Sequence, residues 1–183
     1  MLLPQKFYLR PVDAVAPDLL GMLLCGNGIV LRITGVEAYG GPEDSASHCR
    51  FGKTARNAPM WGMGGRCYVY LCYGMHWMLN VVTGPTGEGA AVLVRSGEVV
   101  GGVGRMLGRG PKGKAGAPLC AGPGLVARAL AVDKSFNGHP LFEAGGLELR
   151  MGEPPSTVLR GKRIGIGYAN EADRNALLLF GCP

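Results

Sequence analysis

The 183-residue chain lacks the residue spacings that mark several common kinds of catalytic site. Its six cysteines include no C-x-x-C pair, its three histidines have neither H-x-x-x-H nor H-x-E spacing, and no G-x-S-x-G elbow occurs. Structural zinc sites, zinc-dependent deaminases and many serine hydrolases depend on these spacings. We therefore expect buried, reduced thiols and a protein that binds no metal.

Long hydrophobic runs are also missing. No stretch approaches the roughly 18 apolar residues that a membrane-spanning helix needs. The first residues, MLLPQKFYLRP, lack the apolar segment of a signal peptide. The hydrophobic fraction of 47% is still ample for a packed core, and the length suits one domain. The sequence therefore predicts a cytoplasmic protein that spans no membrane.

Acidic residues are absent from two long zones, residues 45–87 and 99–132. Basic side chains occur in both zones, and the formal net charge of the chain is +6. The basic residues are Arg50, Lys53, Arg56 and Arg66 in the first zone, and Arg105, Arg109, Lys112, Lys114 and Arg128 in the second. A nucleic-acid partner explains such zones directly, because basic side chains neutralise phosphates and release counterions. The alternative is a solvated surface that happens to be basic.

Strand patterns outnumber helix patterns in this sequence. The predicted strands are 29–39 after an Asn27-Gly28 turn, 68–74 and 76–82 around Gly74, then 90–100, 147–152 and 162–169. Helical spacing predicts one helix within 13–25, capped by Asp13 or beginning at Pro17. It predicts a second, short helix over 122–132 with Pro123 at its first position.

Because β-α-β alternation is absent, these elements predict a mixed α/β (α+β) fold in a single domain over residues 1–183. We expect a curved, mainly antiparallel β-sheet flanked by helices, with a protruding β-hairpin. Residues 101–118 are expected to form a long, basic, mobile loop. GRGPKG (108–113) and GRGPKGKA (108–115) approximate nucleotide-binding loops, but no convincing strand precedes them.

Two charged residues stand in unusual positions on predicted strands. Glu37 falls in phase with the apolar series at 29, 31 and 33, although a buried carboxylate needs partners. It is a candidate general base at a cleft; alternatively, the chain bends at Gly35 and Glu37 faces water. Arg95 lies near the end of its strand and could pair with Glu37 or position a water or a phosphate. Otherwise it is a rim arginine.

The stretch CYVYLCYGMHWMLNV, residues 67–81, is rich in aromatic residues and places Asn80 among apolar neighbours. A strand that only filled a core would avoid polar groups that need partners. Tyr73 precedes a glycine and is expected at the tip of a turn. From such a tip, a side chain can enter a minor groove and unstack base pairs.

Other aromatic residues could form the walls of a site in which a base stacks. These candidates are Tyr39, His48 and Tyr70, and base–aromatic stacking contributes roughly 1–3 kcal/mol per base. Alternatively, tyrosines at a period of two are ordinary sheet residues. We favour that second interpretation for Tyr68.

Six segments of the chain resemble the alkyladenine, or 3-methyladenine, DNA glycosylase family. They are VEAYGGPEDSASH (36–48), TARNAPMWG (54–62), YVYLCYGMHWMLNVV (68–82), AAVLVRSGE (90–98), LCAGPGLVARALAVDKSFNG (119–138) and GKRIGIGYA (161–169). The resemblance covers nearly the whole chain, in order and with little insertion. The chain departs from the family at Gly124 and Leu125, where a small polar residue and a lysine are common, and in its tail, 175–183.

The resemblance implies an enzyme that excises alkylated and deaminated purines from DNA. Glu37 would correspond to the base that activates water, and Arg95 to the arginine that helps to position that water. Tyr73 would correspond to the residue that replaces the flipped nucleotide. The implied pocket residues are Tyr39, His48, Tyr70 and Asn80. The last of these would correspond to an asparagine that obstructs the amino group of guanine.

The same resemblance implies a monofunctional hydrolase that needs no metal or organic cofactor. Its partner would be double-stranded DNA containing damaged purines of the 3-methyladenine, hypoxanthine and ethenoadenine class. The enzyme would hydrolyse the N-glycosidic bond with an activated water and leave an abasic site. We expect a monomer that acts at the bacterial nucleoid. The alternatives are a non-catalytic nucleic-acid binding module and a phosphate-binding NTP enzyme built on 108–115.

Overall fold

Nine strands and four helices make up the regular structure of residues 1–106 and 119–183, the part of the chain that the computed structural model describes. The strands are β1 (Leu23–Gly26), β2 (Ile29–Tyr39), β3 (Cys67–Cys72), β4 (His76–Thr83), β5 (Ala90–Gly101), β6 (Leu119–Ala121), β7 (Glu148–Arg150), β8 (Leu159–Gly161) and β9 (Leu179–Gly181). The helices are α1 (Val12–Asp18), α2 (Val103–Met106), α3 (Pro123–Ala129) and α4 (Glu171–Asn175). Single 3-10 turns cover Gln5–Phe7, Ala58–Trp61 and Lys134–Phe136.

All nine strands belong to one sheet. Its main path runs β3-β4-β5-β2-β1-β7, while β6 pairs with β5 and β9 pairs with both β2 and β8. Every pairing between these strands is antiparallel. The sheet curls into a half-barrel, which confirms the predicted single-domain, mixed α/β fold with a curved antiparallel sheet.

The two faces of the central strands bury different clusters. On one face, residues such as Val36 and Val94 pack with α1 and α3 in the main hydrophobic core. On the opposite face, called the second face below, Tyr68 and Ala91 pack with Met60 in a smaller cluster. Burial of each large apolar side chain contributes about 1.5–3 kcal/mol. The main core therefore holds the sheet together, and the second face is available for a site.

Two of the three irregularities between β2 and β5 lie next to Gly35 and reset the alternation of side chains. The register skips Thr34 on β2 and then Arg95 on β5, so each strand carries one extra residue at this point. Such β-bulges bend a strand and re-aim its side chains. The Ser96 hydroxyl accepts from the Thr34 hydroxyl at 3.0 Å and occupies the place where a Cβ on Gly35 would lie. Glycine is therefore required at that point.

The bulge changes the face on which Glu37 lies. Ile33 faces the main core, but beyond the bulge that face is taken by Val36 and Ala38. The prediction that Glu37 shares the face of 29, 31 and 33 is therefore wrong, because phase counting assumes an unbroken strand. The alternative prediction, that Glu37 faces water, is also wrong. The chain is irregular at Gly35, yet Glu37 is 0% exposed.

The first helix differs from its prediction. It begins at Val12, contains Pro17 in its interior and ends at Asp18, and residues 23–26 form β1 instead of continuing it. Gly21 has a φ of +80°, and its N–H donates to the carbonyl of Ile33 on β2 at 2.8 Å. Pairing with β2 therefore overrides the local helical spacing. The second helix is confirmed, with Pro123 at its first position.

The strand predicted over 162–169 is wrong. β8 ends at Gly161, and the segment that follows it is a loop. Gly165 takes a left-handed φ of +77°, which a strand cannot accommodate. The N–H of Ile164 donates to Glu37 instead of to a neighbouring strand. The segment therefore serves the second face of the sheet.

The remaining predictions have mixed outcomes. The Asn27-Gly28 turn and the hairpin around Gly74 are confirmed, and the divergent tail contributes β9. The predicted basic loop and its nucleotide-loop motifs fall mostly on residues 107–118, outside the described residues. Within 1–106 and 119–183, no helix has the length and apolar character needed to cross a bilayer.

Candidate active site

Four strands bring a row of side chains together on the second face. Glu37 on β2 pairs with Leu93 on β5, Leu93 with Asn80 on β4, and Asn80 with Tyr68 on β3. Directly paired residues of antiparallel strands point to the same side, with Cβ atoms about 4.5–5.5 Å apart. The register therefore places a carboxylate, an amide and a phenol in one line across the sheet.

The carboxylate of Glu37 is fully buried and bound by three donors. Oε2 accepts from the Tyr39 hydroxyl at 2.8 Å and from Arg95 Nη1 at 3.0 Å. Oε1 accepts from the backbone N–H of Ile164 at 2.7 Å. Among the described residues, Oε1 accepts this one hydrogen bond, whereas a carboxylate offers about four lone-pair positions in total. The predicted pairing of Glu37 with Arg95 is present in the structure.

A second layer of contacts supports these donors. Arg163 forms a buried, bidentate ion pair with Asp44, with N···O distances of 2.6 and 2.9 Å. Asp173 on α4 accepts from the N–H of Ser45 at 2.9 Å and also from its hydroxyl. Together these contacts fix the loop after β2 against the loop after β8.

A cavity lies on the second face beside this carboxylate. The empty space between its walls amounts to about 340 Å³ when the space open to solvent is included. Its walls are formed by Tyr39, Ala46, His48, Met60, Tyr68, Tyr70, Asn80 and Tyr168. Tyr39 both lines the cavity and donates to Glu37, so the cavity and the carboxylate are linked through one side chain.

The aromatic walls of the cavity pack closely. Tyr68 and Tyr70 stack with centroids 5.4 Å apart and planes 29° apart, and the ring of His48 lies 4.6 Å from that of Tyr70. Burial, followed by the nearby Glu37 carboxylate, raises the pKa of Tyr39, and burial raises the pKa of Tyr68 to about 12. The walls therefore present neutral phenol rings.

His48 is neutral at physiological pH. Burial, followed by the positive charges of Arg56 and Arg50, lowers its pKa from 6.5 to about 4. Its Nδ1 lies 2.9 Å from the Tyr68 hydroxyl, within hydrogen-bond distance. The neutral imidazole itself adds no positive charge to this wall.

This depressed pKa predicts acid sensitivity. Between about pH 4 and pH 6.5, the unfolded chain protonates His48 more readily than the native chain does, so stability falls as the pH is lowered through this window. Melting temperatures measured at pH 7 and pH 4.5 should fall more in the wild type than in His48→Gln. Equal losses in the two proteins would show that His48 makes no such contribution.

Asn80 is held in a fixed orientation. It is 5% exposed, and its Nδ2 donates to the backbone carbonyl of Tyr68 at 3.0 Å. This hydrogen bond explains how a polar side chain is accommodated among Leu79 and Val81. The remaining polar atoms of the amide are next to the cavity that Asn80 lines.

Tyr73 lies at the tip of the β3–β4 hairpin. It is 89% exposed and has a left-handed φ of 49°, followed by Gly74 with a φ of 70°. Positive φ is unfavourable for a bulky residue, and such strain often occurs at functional positions. The predicted turn-tip position is therefore observed, together with an exposed Met75 beside it.

Arginines stand over the tyrosines at the cavity mouth. The guanidinium carbon of Arg50 lies 4.9 Å from the ring centroid of Tyr168 and 4.6 Å from that of the exposed Phe51. That of Arg56 lies 5.4 Å from the ring of Tyr70. These arginines belong to the acid-free zone 45–87, so the mouth of the cavity is positively charged.

The structure brings most of the sequence-predicted residues together. Glu37 and Arg95 are in contact, and Tyr39, His48, Tyr70 and Asn80 line one cavity. Tyr73 stands apart from the cavity lining, at the hairpin tip. In the part of the chain that the structure describes, no group of three His, Cys, Asp or Glu side chains is placed to hold a metal ion.

Several site residues were missed by sequence reasoning. Tyr68 was interpreted as an ordinary sheet residue, although its ring lines the cavity. Tyr168 and the Asp44–Arg163 pair were not singled out. The available signal was the segment GKRIGIGYA, in which Arg163 and Tyr168 stand among glycines that suit a loop better than a strand.

Comparisons with known proteins identify the family to which the chain is similar. The family model described as Methylpurine-DNA glycosylase (MPG) matches residues 6–180. A protein of Nitrosococcus oceani, provisionally named a 3-methyladenine DNA glycosylase, is 53% identical over 175 residues, covering 96% of this chain and 87% of the relative. The DNA-3-methyladenine glycosylase of Arabidopsis thaliana is 46% identical over 180 residues, covering 98% of this chain and 70% of the relative.

The matches extend over the strands and loops that build the site. The family match alone includes β1 through β8 and the loop that carries Arg163. A protein of Frankia casuarinae, with the same provisional name, is 49% identical over 177 residues, covering 90% of this chain and 83% of the relative. The chain therefore belongs to the methylpurine-DNA glycosylase family and is a DNA glycosylase of DNA repair.

Proposed function

We propose that the whole chain, residues 1–183, acts as one glycosylase domain that releases damaged purines flipped out of duplex DNA. The observation that carries the proposal is the buried Glu37 carboxylate, linked through Tyr39 to an aromatic cavity. A target atom inside a duplex cannot be reached, so the nucleotide must leave the stack first. The cavity then receives the base, and the carboxylate lies toward the sugar.

Glu37 is the proposed general base. A water bound beside Oε1 would lose a proton to Glu37 and attack C1′ of the sugar from the face opposite the base. Arg95 would help to orient that water while it holds Oε2. The developing oxocarbenium ion is positive, and the nearby carboxylate stabilises it. The reaction breaks only the N-glycosidic bond and leaves an intact strand with an abasic site.

The chemistry of the cavity suits cationic purines. A positively charged ring such as 3-methyladenine gains about 0.5–2 kcal/mol from the face of a tyrosine. His48 is neutral there, because its pKa lies near 4, and it does not repel a cation. Neutral lesions such as hypoxanthine and ethenoadenine fit the same stacking site, and their release would need protonation of the purine.

Asn80 is the proposed selectivity residue. Its amide is fixed by Tyr68 at the cavity wall, where the exocyclic amino group of guanine would collide with it. Shortening the side chain should therefore admit guanine-type bases. We expect Asn80→Ala to raise release of 7-methylguanine relative to 3-methyladenine about tenfold, measured by chromatography of bases released from methylated DNA. An unchanged ratio would remove Asn80 from this role.

The charge and form of the molecule suit a duplex partner. The positive cavity mouth, with Arg50 and Arg56, would lie against the phosphates that flank the extruded nucleotide. Tyr73 would fill the gap that the nucleotide leaves in the stack. We propose that a single chain suffices, acting where chromosomal DNA lies, which is the nucleoid in a bacterial cell.

A release panel tests the proposal. Methylated DNA and duplexes containing one hypoxanthine or one ethenoadenine are incubated with the wild type, and the released bases and abasic strands are quantified. We expect release from methylated DNA and from at least one defined duplex, without strand cleavage. Binding without any release would instead favour a non-catalytic nucleic-acid binding module.

A further inference from the structure

A buried ion pair lies behind Glu37. The carboxylate of Asp44 accepts from Arg163 through both oxygens, and each oxygen also accepts a backbone N–H, from Gly40 or Ala46, at 2.9 Å. Both residues are less than a tenth exposed. Moving two charges from water into the protein interior costs about as much free energy as their attraction returns. Apolar residues of similar volume often stabilise the fold equally well. Stability alone therefore does not account for this pair.

Arg163 contacts or adjoins two of the groups that donate hydrogen bonds to Glu37, namely Ile164 and Tyr39. It directly precedes Ile164, whose N–H donates to Oε1 at 2.7 Å. Its guanidinium carbon lies 4.9 Å from the ring centroid of Tyr39, whose hydroxyl donates to Oε2 at 2.8 Å. Its Nη1 also donates to the carbonyl of Ala38, the residue between Glu37 and Tyr39, at 2.9 Å.

We propose that Arg163, held by Asp44, is a positioning residue that fixes the Glu37 carboxylate through Ile164 and Tyr39. The proposal rests on the proposed role of Glu37 in base release. Orientation matters strongly here, because a displacement of about 1 Å at a reacting group can cost roughly a hundredfold in rate. Only a planar guanidinium can bind both oxygens of Asp44 and a carbonyl while stacking on a ring, so lysine is not an equivalent replacement.

Arg163→Lys tests the proposal. The measurement is release of 3-methyladenine from methylated duplex DNA with enzyme in excess over lesions, which reports the chemical step. We expect the rate constant to fall about tenfold, while the Kd for a duplex with one ethenoadenine changes less than twofold. Combined with Glu37→Gln, the same substitution should cause no further loss, because no base remains to be positioned.

The control is Arg10→Lys, which alters an exposed ion pair of similar length with Asp18, 2.8 Å. It should change neither the rate nor the binding. Should Arg163→Lys fail to fold in a thermal melt, Asp44→Asn keeps the side-chain shape and tests the same pair. An unchanged rate constant, or an equal further loss in the Glu37→Gln background, would overturn the positioning role. Absence of release by the wild type would overturn the proposed function instead.

Discussion

Glu37→Gln should still bind damaged DNA but release its purine at least about a thousandfold more slowly. General-base catalysis contributes typically 10²–10⁴-fold, and this substitution also removes the negative charge that stabilises the oxocarbenium ion. The amide matches the carboxylate in shape, so the cavity and its aromatic walls remain. The measurement pairs release of 3-methyladenine with enzyme in excess and Kd by fluorescence anisotropy on an ethenoadenine duplex.

A matched control distinguishes loss of the base from loss of the fold. Glu98→Gln changes a carboxylate on β5 that lies 3.6 Å from Arg32. Its side chain is 41% exposed, whereas Glu37 is fully buried. It should release purines at the wild-type rate. Thermal melts are needed for Glu37→Gln, because its NH₂ group cannot accept a hydrogen bond. It would face the donor of either Arg95 or Ile164, and this mismatch could destabilise the fold. Wild-type release by a folded Glu37→Gln protein would remove Glu37 from the mechanism.

Tyr73→Ala should weaken binding of a damaged duplex about 30-fold. Stacking of one base on an aromatic ring contributes roughly 1–3 kcal/mol, and the exposed ring of Tyr73 is the group that would stack in the gap left by the flipped nucleotide. Tyr73→Phe should retain most of the affinity, because the ring is kept. Anisotropy in the Glu37→Gln background measures Kd without base release. Undamaged duplex of the same sequence supplies the reference.

The control for Tyr73→Ala is a substitution at an exposed apolar residue far from the hairpin. Met151 follows β7, at the opposite end of the sheet path from β3, and is 50% exposed. Met151→Ala should leave Kd unchanged. Alanine and tyrosine both meet strain at a φ of 49°, so the Tyr73→Ala comparison isolates the ring. Equal affinities for wild type and Tyr73→Ala would refute the wedge.

Local residue patterns predicted the central strands well. β2 was expected over 29–39 and has those bounds, because its branched residues fit a pleated, half-buried surface. The hairpin tip was also expected, since a glycine after Tyr73 permits the left-handed turn. For Arg95, the position near the end of its strand indicated a pairing with Glu37, which is present. These features depend on neighbours in sequence, which pattern reading captures.

Features set by distant contacts could not be predicted in the same way. The face of Glu37 depends on an extra residue at Thr34, which only pairing with β5 reveals. Residues 162–169 have the apolar alternation of a strand, but Arg163 and Ile164 are held by partners more than 100 residues away. The roles expected for Glu37, Arg95 and Tyr73 came from the family resemblance. The substitutions of Glu37 and Tyr73 described above test two of these roles.

The bulge at Thr34 has a consequence for how the chain can change length. Deleting that one residue would remove the bulge but keep the sides to which the later side chains point, with Val36 toward the main core and Glu37 toward the second face. A residue inserted between Val36 and Glu37 would instead turn the carboxylate toward the aliphatic side chains of the main core. Within β2, the position of the reacting group therefore tolerates a shorter bulge but not a longer strand between Val36 and Glu37.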